Sequence, residues 1–529
     1  MPLTVVIVDL ETPLPTLTSQ LLMPRHGVLA LGTALARAGH QVAVHVECLN
    51  GVCHPDLIRA DVVGFAVTYP NLTRVAALAR AVKQDNPRAV ILAGGPHATV
   101  SPTEVLGFAD IVVRDEGEKT AVELLERLEN GGRIDDVQGI TFRQDGRVVH
   151  TPRRAYIRGD TTTEDLTLLK GFSLPTRVSR MTRGEVMCGY ATTSRGCPFP
   201  CTFCYENMIG GTGHRVRDVD SLVEDIRQKK QFFGTNRFWF ADSNFTTNPA
   251  HAREVLRAII DANLGCRFSV LCRVDVGTRP DILDLMRDAG VATLSLGMEA
   301  IEDERLASIE KRQTVAAIVH TIEEVHRRGM AAFGLFMVGF DGDTEQTPWR
   351  ITRFCREHEV EDLSIYCLSE YPELPGRTLP RYRICEPNSD YYSGHFVTTF
   401  PRDVRPSVLE RAVFGALLDF YDPRGPQNDR RLAGKLDIRA GQYLQIKRMA
   451  QIAARHQVRL AEVETPYYGP DGTLREEILR ANPLIRHPIP ADTLAGWSDP
   501  ADPKPATDDR MSLPVVGAVP EHCEVGGFL

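Results

Sequence analysis

The chain lacks an apolar run long enough to span a bilayer, so a helical membrane protein is not expected. It also lacks an excess of positive charge: the net charge is −8 over 529 residues, and nothing points to nucleic acid. The N-terminus, Met1 to Asp9 (MPLTVVIVD), has neither the basic n-region nor the cleavage site of a secretory signal and reads as a buried strand. Twelve cysteines are too few for a secreted disulfide framework in a chain of this length. Nine of them, Cys48, Cys53, Cys188, Cys266, Cys272, Cys355, Cys367, Cys385 and Cys523, are scattered, as small buried hydrophobes would be. What remains is an ordinary globular composition, 43% hydrophobic and 25% charged, with length for roughly two to four domains.

The other three cysteines fall within thirteen residues. Thr193 to Tyr205 reads T-S-R-G-C-P-F-P-C-T-F-C-Y, a C-x3-C-x2-C motif made of Cys197, Cys201 and Cys204. Gly196, Pro198 and Pro200 make it a loop. Three thiolates can hold three irons of a [4Fe–4S] cluster and leave the fourth iron open for chemistry. A zinc knuckle completed by His214, or three unligated buried thiols, are the plainer alternatives. A cluster with an open iron needs a reducing compartment, so a cytoplasmic location is expected.

Around this motif, strand-like and helix-like patterns alternate. In the first 130 residues, apolar runs at Val5–Asp9, Val42–Glu47, Asp61–Val67, Ala89–Leu92 and Asp110–Val113 are separated by helical periodicity at Gly27–Ala38 and Leu72–Gln84. This rhythm predicts a doubly wound parallel sheet with ligands at the strand carboxyl ends. There lie Thr68-Tyr69-Pro70-Asn71, Gly94-Gly95-Pro96-His97 and Asp115-Glu116-Gly117-Glu118. From 186 to 375 the rhythm returns. Strands are expected at Gly189–Ser194, Arg237–Ala241, Arg267–Arg273, Ala292–Met298, Ala331–Val338 and Leu363–Leu368. Six β/α units suggest a partial barrel with function at strand C-termini.

The motif C-x3-C-x2-C with Phe203 before the last cysteine resembles the signature of the radical S-adenosylmethionine (SAM) enzymes. G-G-P-H-A-T and E-G-E upstream of it resemble the cobalamin-binding domain of the B12-dependent members. The resemblance implies an α/β architecture: a Rossmann-like cobalamin domain (1–135), a linker with a small hairpin (136–185), a partial (β/α)6 radical SAM barrel (186–375), a mostly helical C-terminal region (376–486) and an extended tail (487–529). The cofactors implied are a [4Fe–4S] cluster, SAM and cobalamin (as methylcobalamin).

The resemblance also implies site residues. SAM would meet Phe203, Tyr205, Asp242, Ser243, Asn244, Arg273, Glu299 and Gly339, with Arg273 opposite its carboxylate. Glu299 and Arg273 could equally be barrel-rim charges, and Gly339 an ordinary turn. Cobalamin would meet Thr68, Tyr69, Asn71, Gly94, Gly95, Pro96, His97, Glu116 and Gly117, with His97 either touching the corrin tail or only fixing its turn. The D-x-H-x-x-G motif of many B12 proteins is absent: Asp9-Leu10-Glu11-Thr12-Pro13-Leu14 holds no histidine. Cobalt is therefore expected without a histidine lower ligand, with Tyr69 or Asn71 beneath the corrin. His26 and His97 are the nearest candidates otherwise. Tyr366, Glu370 and Tyr371, at the sixth strand and the loop after it, are expected to line a substrate cavity between the two cofactors, or merely to close the barrel.

Residues 140–150 read as a hairpin about Asp145-Gly146. Pro406–Phe420 and Gly434–His456 read as helices, the second with a solvated basic face. The expected activity is methylation of an unactivated carbon or phosphorus of a small molecule, with electrons from a flavodoxin or ferredoxin. The rivals are a B12-dependent oxidative cyclase or ring-rearranging enzyme that transfers no methyl group, and a non-catalytic cobalamin sensor or carrier.

Overall fold

The computed structural model describes residues 2–17, 21–159, 163–172, 186–211, 213–371, 378–423 and 436–481. The N-terminal sheet begins with five parallel strands: β1 (Thr4–Asp9), β2 (Gln41–Val46), β3 (Val62–Ala66), β4 (Val90–Gly94) and β5 (Ile111–Val113). Their order is β2-β1-β3-β4-β5. Both faces of such a sheet are covered, which is why β1 reads as an unbroken apolar run, Val5 to Val8, every side chain buried. The helices His26–Arg37, Leu72–Asp85 and Gly117–Glu129 supply the cover. The chain leaves β1 toward β2 on one side and returns to β3 on the other. The carboxyl ends of β1 and β3 therefore flank the switch point where doubly wound sheets bind ligands.

The hairpin expected in a linker is instead the edge of this sheet. Strand β6 (Ile140–Gln144) pairs antiparallel with β5, and β7 (Arg147–His150) pairs with β6. Asp145 (φ 50°) and Gly146 (φ 75°) are both left-handed, as a two-residue hairpin turn requires. Ile140 and Phe142 drop into the same core as Val113, so the apolar face of the hairpin has no reason to stay apart.

The second sheet is wholly parallel and in sequence order: β8 (Gly189–Ala191), β9 (Arg237–Phe240), β10 (Arg267–Arg273), β11 (Val291–Glu299), β12 (Ala331–Val338) and β13 (Asp362–Cys367). Helices Val219–Phe233, Pro249–Ala262, Pro280–Asp288, Val315–Arg327 and Thr347–Glu357 intervene, the partial (β/α)6 barrel expected. Helix starts carry side-chain caps: Asp218 accepts from Ser221 N–H, and Asn248 from Ala250 and His251 N–H.

The C-terminal region is helical at Pro406–Tyr421 and Leu436–Glu464, but it has no core of its own. Phe396, Phe400, Leu409, Phe414 and Ile446 share one apolar cluster with Val338 and Ile365 of the barrel. The stretch around Gly394 runs along β13, whose Cys367 N–H donates to Gly394 O (2.6 Å). The described residues, through 481, belong to one compact unit. The expected boundaries at 185/186 and 375/376, and the expected tail at 487–529, lie outside the described residues.

A buried ion cluster locks the C-terminal helices. His456 sits between Glu410 (Nδ1 to Oε2, 2.7 Å) and Glu386 (Nε2 to Oε2, 2.9 Å), stacked on the Tyr391 ring at 4.1 Å. Burial alone would lower its pKa, but the two carboxylates outweigh it and push it up to about 9. A histidine whose pKa is raised on folding adds stability that is full below its unfolded value, ~6.5, and is lost as pH rises through the folded one. The shift is worth about 3 kcal/mol. The urea midpoint should therefore fall between pH 7 and pH 10, and His456→Gln should lower the midpoint at pH 7 while flattening that slope. An unchanged slope in the variant would remove His456 as its source.

Candidate functional site

The cysteine loop leaves the carboxyl end of β8 and is pinched at its base. Ser194–Arg195 pairs antiparallel with Arg215–Val216. Gly196 is left-handed (φ 81°), and a Cβ there would lie 2.2 Å from Gly213 O, so only glycine lets the two sides of the loop close. Within the loop, Cys204 N–H donates to Cys201 O (3.2 Å), Cys197 N–H to Gly211 O (3.3 Å) and Thr202 N–H to Ile309 O (3.4 Å). Cys201 is buried, and Cys197 and Cys204 are half-buried. Burial raises the Cys197 thiol and pushes Cys204 up to about 11, so iron or nearby cations must favour the thiolates. Among the described residues no three His, Cys, Asp or Glu side chains converge on one metal-ion position; a cubane instead gives each thiolate its own iron. Three thiols on one tied loop with a guanidinium beside them fit that cluster. Arg273 directs Nη1 at Cys201 Sγ (3.8 Å).

The barrel strand ends gather around this loop, though several expected SAM residues are already engaged. Asp242 is buried and accepts from Thr193 N–H (3.0 Å), Thr193 Oγ1 (2.8 Å) and the Ser194 hydroxyl, so its carboxylate braces the root of the cysteine loop. Asn244 Oδ1 accepts from Arg273 N–H (3.2 Å) and Thr246 Oγ1 (3.3 Å). Ser243, between them, is half-buried. Arg273 spends its donors on Cys201 and on Lys311 O, with Phe199 under its guanidinium at 4.2 Å, rather than standing free for a ligand carboxylate. Glu299 closes β11 in a left-handed conformation (φ 64°) and pairs with Lys311 Nζ (2.6 Å), both buried. Phe203 packs with Met337 against Phe340 and Leu368. Gly339 (φ 103°) and Phe340 donate their N–H groups to Asp343 (2.8 and 2.9 Å).

The N-terminal sheet brings its own strand ends to the same place. Asn71 is fully buried: Oδ1 accepts from Thr68 N–H (2.8 Å) and Nδ2 donates to Leu10 O and Ala66 O (both 3.1 Å). It braces β1 against β3 and leaves nothing to place beneath a corrin. Gly95 (φ 102°) lets the β4 turn lie against Val67, where a Cβ would stand 2.9 Å from the carbonyl. Pro96 opens the short helix Pro96–Val100, which packs on Glu206–Ile209 just beyond Cys204. His97 is buried, with Nε2 on Glu104 Oε2 (2.7 Å), while Ser101 Oγ donates to the same oxygen (3.2 Å); Nδ1 has no partner. Glu116 is consumed by the cysteine loop: Oε1 faces Arg215 (2.6 Å) and Arg195 (3.4 Å), and Oε2 accepts from Ile157 N–H (2.5 Å). Gly117 starts the following helix. His26 lies between Glu164 and Arg195.

Between the sheets runs a seam of aromatic rings. The Tyr69 ring lies 4.7 Å from His97, 4.7 Å from Tyr392 and 5.5 Å from Tyr371. Tyr371 is 5.0 Å from Tyr205, whose hydroxyl donates to Glu370 Oε2 (2.6 Å). Glu370 is buried and also accepts from Thr378 and Leu379 N–H (2.7 and 2.9 Å), so it shapes its turn. Tyr366 stacks on His395 at 5.2 Å. Sequence reasoning missed Lys311, Tyr392 and His395, a buried imidazole that burial lowers to about 4; no motif marks them, since each reaches the site from a loop remote in sequence.

Comparison with known proteins agrees with this arrangement. The Radical SAM superfamily model matches residues 192–355 and the B12 binding domain model residues 15–125. An uncharacterised methyltransferase of Pyrococcus horikoshii is 25% identical over 353 residues, 65% of this chain and 76% of that protein. The anaerobic magnesium-protoporphyrin IX monomethyl ester cyclase of Rubrivivax gelatinosus is 27% identical over 417 residues, covering 75% of this chain and 72% of the cyclase. The radical SAM methyltransferase TsrM of Kitasatospora setae, solved with cobalamin and a [4Fe-4S] cluster bound, shares the fold at 16% identity with a TM-score of 0.63, over 85% of this chain and 100% of that one. With a B12-binding domain and a radical SAM domain in one polypeptide, the chain belongs to the cobalamin-dependent radical SAM enzymes.

Proposed function

We propose that this enzyme transfers a methyl group to an unactivated carbon, or phosphorus, of a small biosynthetic intermediate. The observation that carries the reading is the seam, where Tyr69 from the end of the N-terminal sheet and Tyr205 from the cysteine loop both touch Tyr371. When bound, the cluster with SAM supplies a 5′-deoxyadenosyl radical, and cobalamin supplies the methyl group. The chain's own part is to hold and orient. Cys197, Cys201 and Cys204 hold three irons. Phe203, Tyr205, Ser243, Glu299 and Gly339 surround SAM. Thr68, Tyr69, Gly94, Gly95, Pro96 and His97 receive cobalamin. Asp242, Asn244, Asn71, Glu116 and Glu370 keep these groups in place through bonds within the protein. Tyr366 and Tyr371 wall the substrate. A low-potential flavodoxin or ferredoxin in the cytoplasm would supply electrons.

The cyclase relationship supports a second reading, oxidative chemistry without methyl transfer. Product analysis separates the two: S-adenosylhomocysteine formed together with 5′-deoxyadenosine indicates methyl transfer, and 5′-deoxyadenosine alone indicates oxidation.

Anaerobically reconstituted protein should hold about four irons in its cluster. Cys197→Ala, Cys201→Ala and Cys204→Ala should each reduce SAM cleavage to background, while bound cobalamin, measured by its visible absorption, stays near one per chain. Cleavage surviving in any of the three would defeat the radical SAM assignment of these thiols.

The lower face of cobalt is open to a separate measurement. His26 is taken by Glu164 and Arg195, and His97 Nε2 by Glu104. Electron paramagnetic resonance of the cob(II)alamin form should therefore show no triplet splitting from an axial imidazole nitrogen. Triplets that vanish in His97→Ala would assign the ligand to His97 Nδ1 instead.

A further inference from the structure

Two buried cations stand against the cysteine loop, and neither belongs to the cysteine motif. Arg273 reaches in from the end of β10. Its Nη1 points at the sulfur of Cys201, the buried member of the three, at 3.8 Å, and Phe199 packs on its guanidinium at 4.2 Å. Lys311 reaches in from the loop after β11 with its ammonium 5.8 Å from the centre of the Phe203 ring, between Cys201 and Cys204 in sequence. The two are joined, because Arg273 Nη2 donates to the Lys311 carbonyl. Glu310 (φ 55°) and Arg312 (φ 54°), on either side of Lys311, are both left-handed without being glycine. Such residues are strained and persist where the surroundings impose them. Thr202 N–H ties the same loop to the cysteine loop through Ile309 O (3.4 Å). A strained loop thus holds a lysine beside the Phe203 ring and presents a carbonyl that holds an arginine against the Cys201 sulfur.

We propose that Arg273 and Lys311 form a cationic cap that raises the reduction potential of the cluster, an inference that rests on Cys197, Cys201 and Cys204 holding one. On one-electron reduction by a low-potential donor the cluster gains a negative charge, with no bond made or broken. An N–H aimed at a ligating sulfur and a positive charge in a poorly solvated site stabilise the more negative state, so the potential rises. Acidic neighbours oppose this in part. Glu299 pairs with Lys311 at 2.6 Å, Asp275 lies 3.9 Å from Arg273 but is 45% exposed, and Glu206 acts on Cys197 and Cys204. The Asp275 contact falls on Arg273 Nε and the Glu299 contact on Lys311 Nζ, not on Arg273 Nη1, the group that faces sulfur, and burial preserves the strength of that interaction.

The test is an anaerobic redox titration of the reconstituted holoenzyme without SAM, followed by the paramagnetic signal of the reduced cluster. Iron content is measured on the same samples. At a fixed potential, Arg273→Met should lower the ratio of reduced to oxidised cluster about tenfold, about 59 mV for one electron. Arg273→Lys, which keeps the charge, should recover most of that loss. Lys311→Met should move the potential in the same direction, and it carries the test if Arg273→Met fails to hold iron. Variants that hold four irons yet titrate with the wild type, or at a higher potential, would overturn the proposal. Wild-type protein that holds no cluster would instead overturn the reading on which it rests.

Discussion

The geometry of this enzyme depends on a partly buried ion network that joins the N-terminal sheet to the root of the cysteine loop. Arg195 and Arg215, the paired strand residues that pinch the loop, reach across to Glu116 and Glu118 at the start of the Gly117–Glu129 helix. Arg195 also meets His26, whose other nitrogen is held by Glu164, and Glu164 pairs with Lys229 of the first barrel helix (3.3 Å). Burial alone would raise the Glu164 carboxyl, but Lys229 and His26 hold it down at about 2, so Glu164 stays ionised at neutral pH. Such a network need add little net stability, because every member was desolvated to enter it. Its value is positional. Removing one partner of its buried pair, Glu164 and Lys229, would leave a charge poorly compensated at a cost of about 3–5 kcal/mol, which favours the one alignment of the sheets in which the turn after β4 packs on Glu206–Ile209, just beyond Cys204.

Much of the fold was legible because parallel strands covered on both faces announce themselves as short apolar runs. Arg267–Arg273 and Ala331–Val338 have the bounds their sequence patterns predict. The cysteine loop was legible because thiols at fixed spacing on a Gly/Pro loop have few other uses. The polar residues at strand ends were harder to read. Asp242, Asn71, Glu116 and Glu370 stand where a ligand would be contacted, yet each is spent on the protein itself, on partners 49, 61, 99 and 165 residues away. A carboxylate at a strand end suits bracing as well as binding, and only the partner decides. The hairpin at 140–150 was assigned to a linker because its local pattern reveals the turn but not the three-residue edge of β5 that it completes.

These bracing residues have a consequence for the site. By consuming their own hydrogen-bonding capacity inside the protein, they leave the ground between the sheets to groups of another kind: Tyr69, Tyr205, Tyr371 and Tyr392. Tyrosine can bury a large ring provided its hydroxyl finds a partner. Here two of the hydroxyls are bonded to buried groups, Tyr205 to the Glu370 carboxylate and Tyr392 to the Glu386 carbonyl (2.7 Å), and the rings are left to face one another.

A wall of rings flanked by ion pairs is electrostatically self-reinforcing. Apolar matter between the sheets keeps the local dielectric low, and a low dielectric strengthens poorly solvated ion pairs such as Arg195–Glu118 (2.8 Å) and Lys311–Glu299 (2.6 Å). The same low dielectric penalises any buried polar atom left alone, so a group such as His97 Nδ1, buried without a partner beside Tyr69, carries a standing cost. The seam is thus packed with rings where it joins the two sheets and carries an unsatisfied nitrogen at the turn after β4.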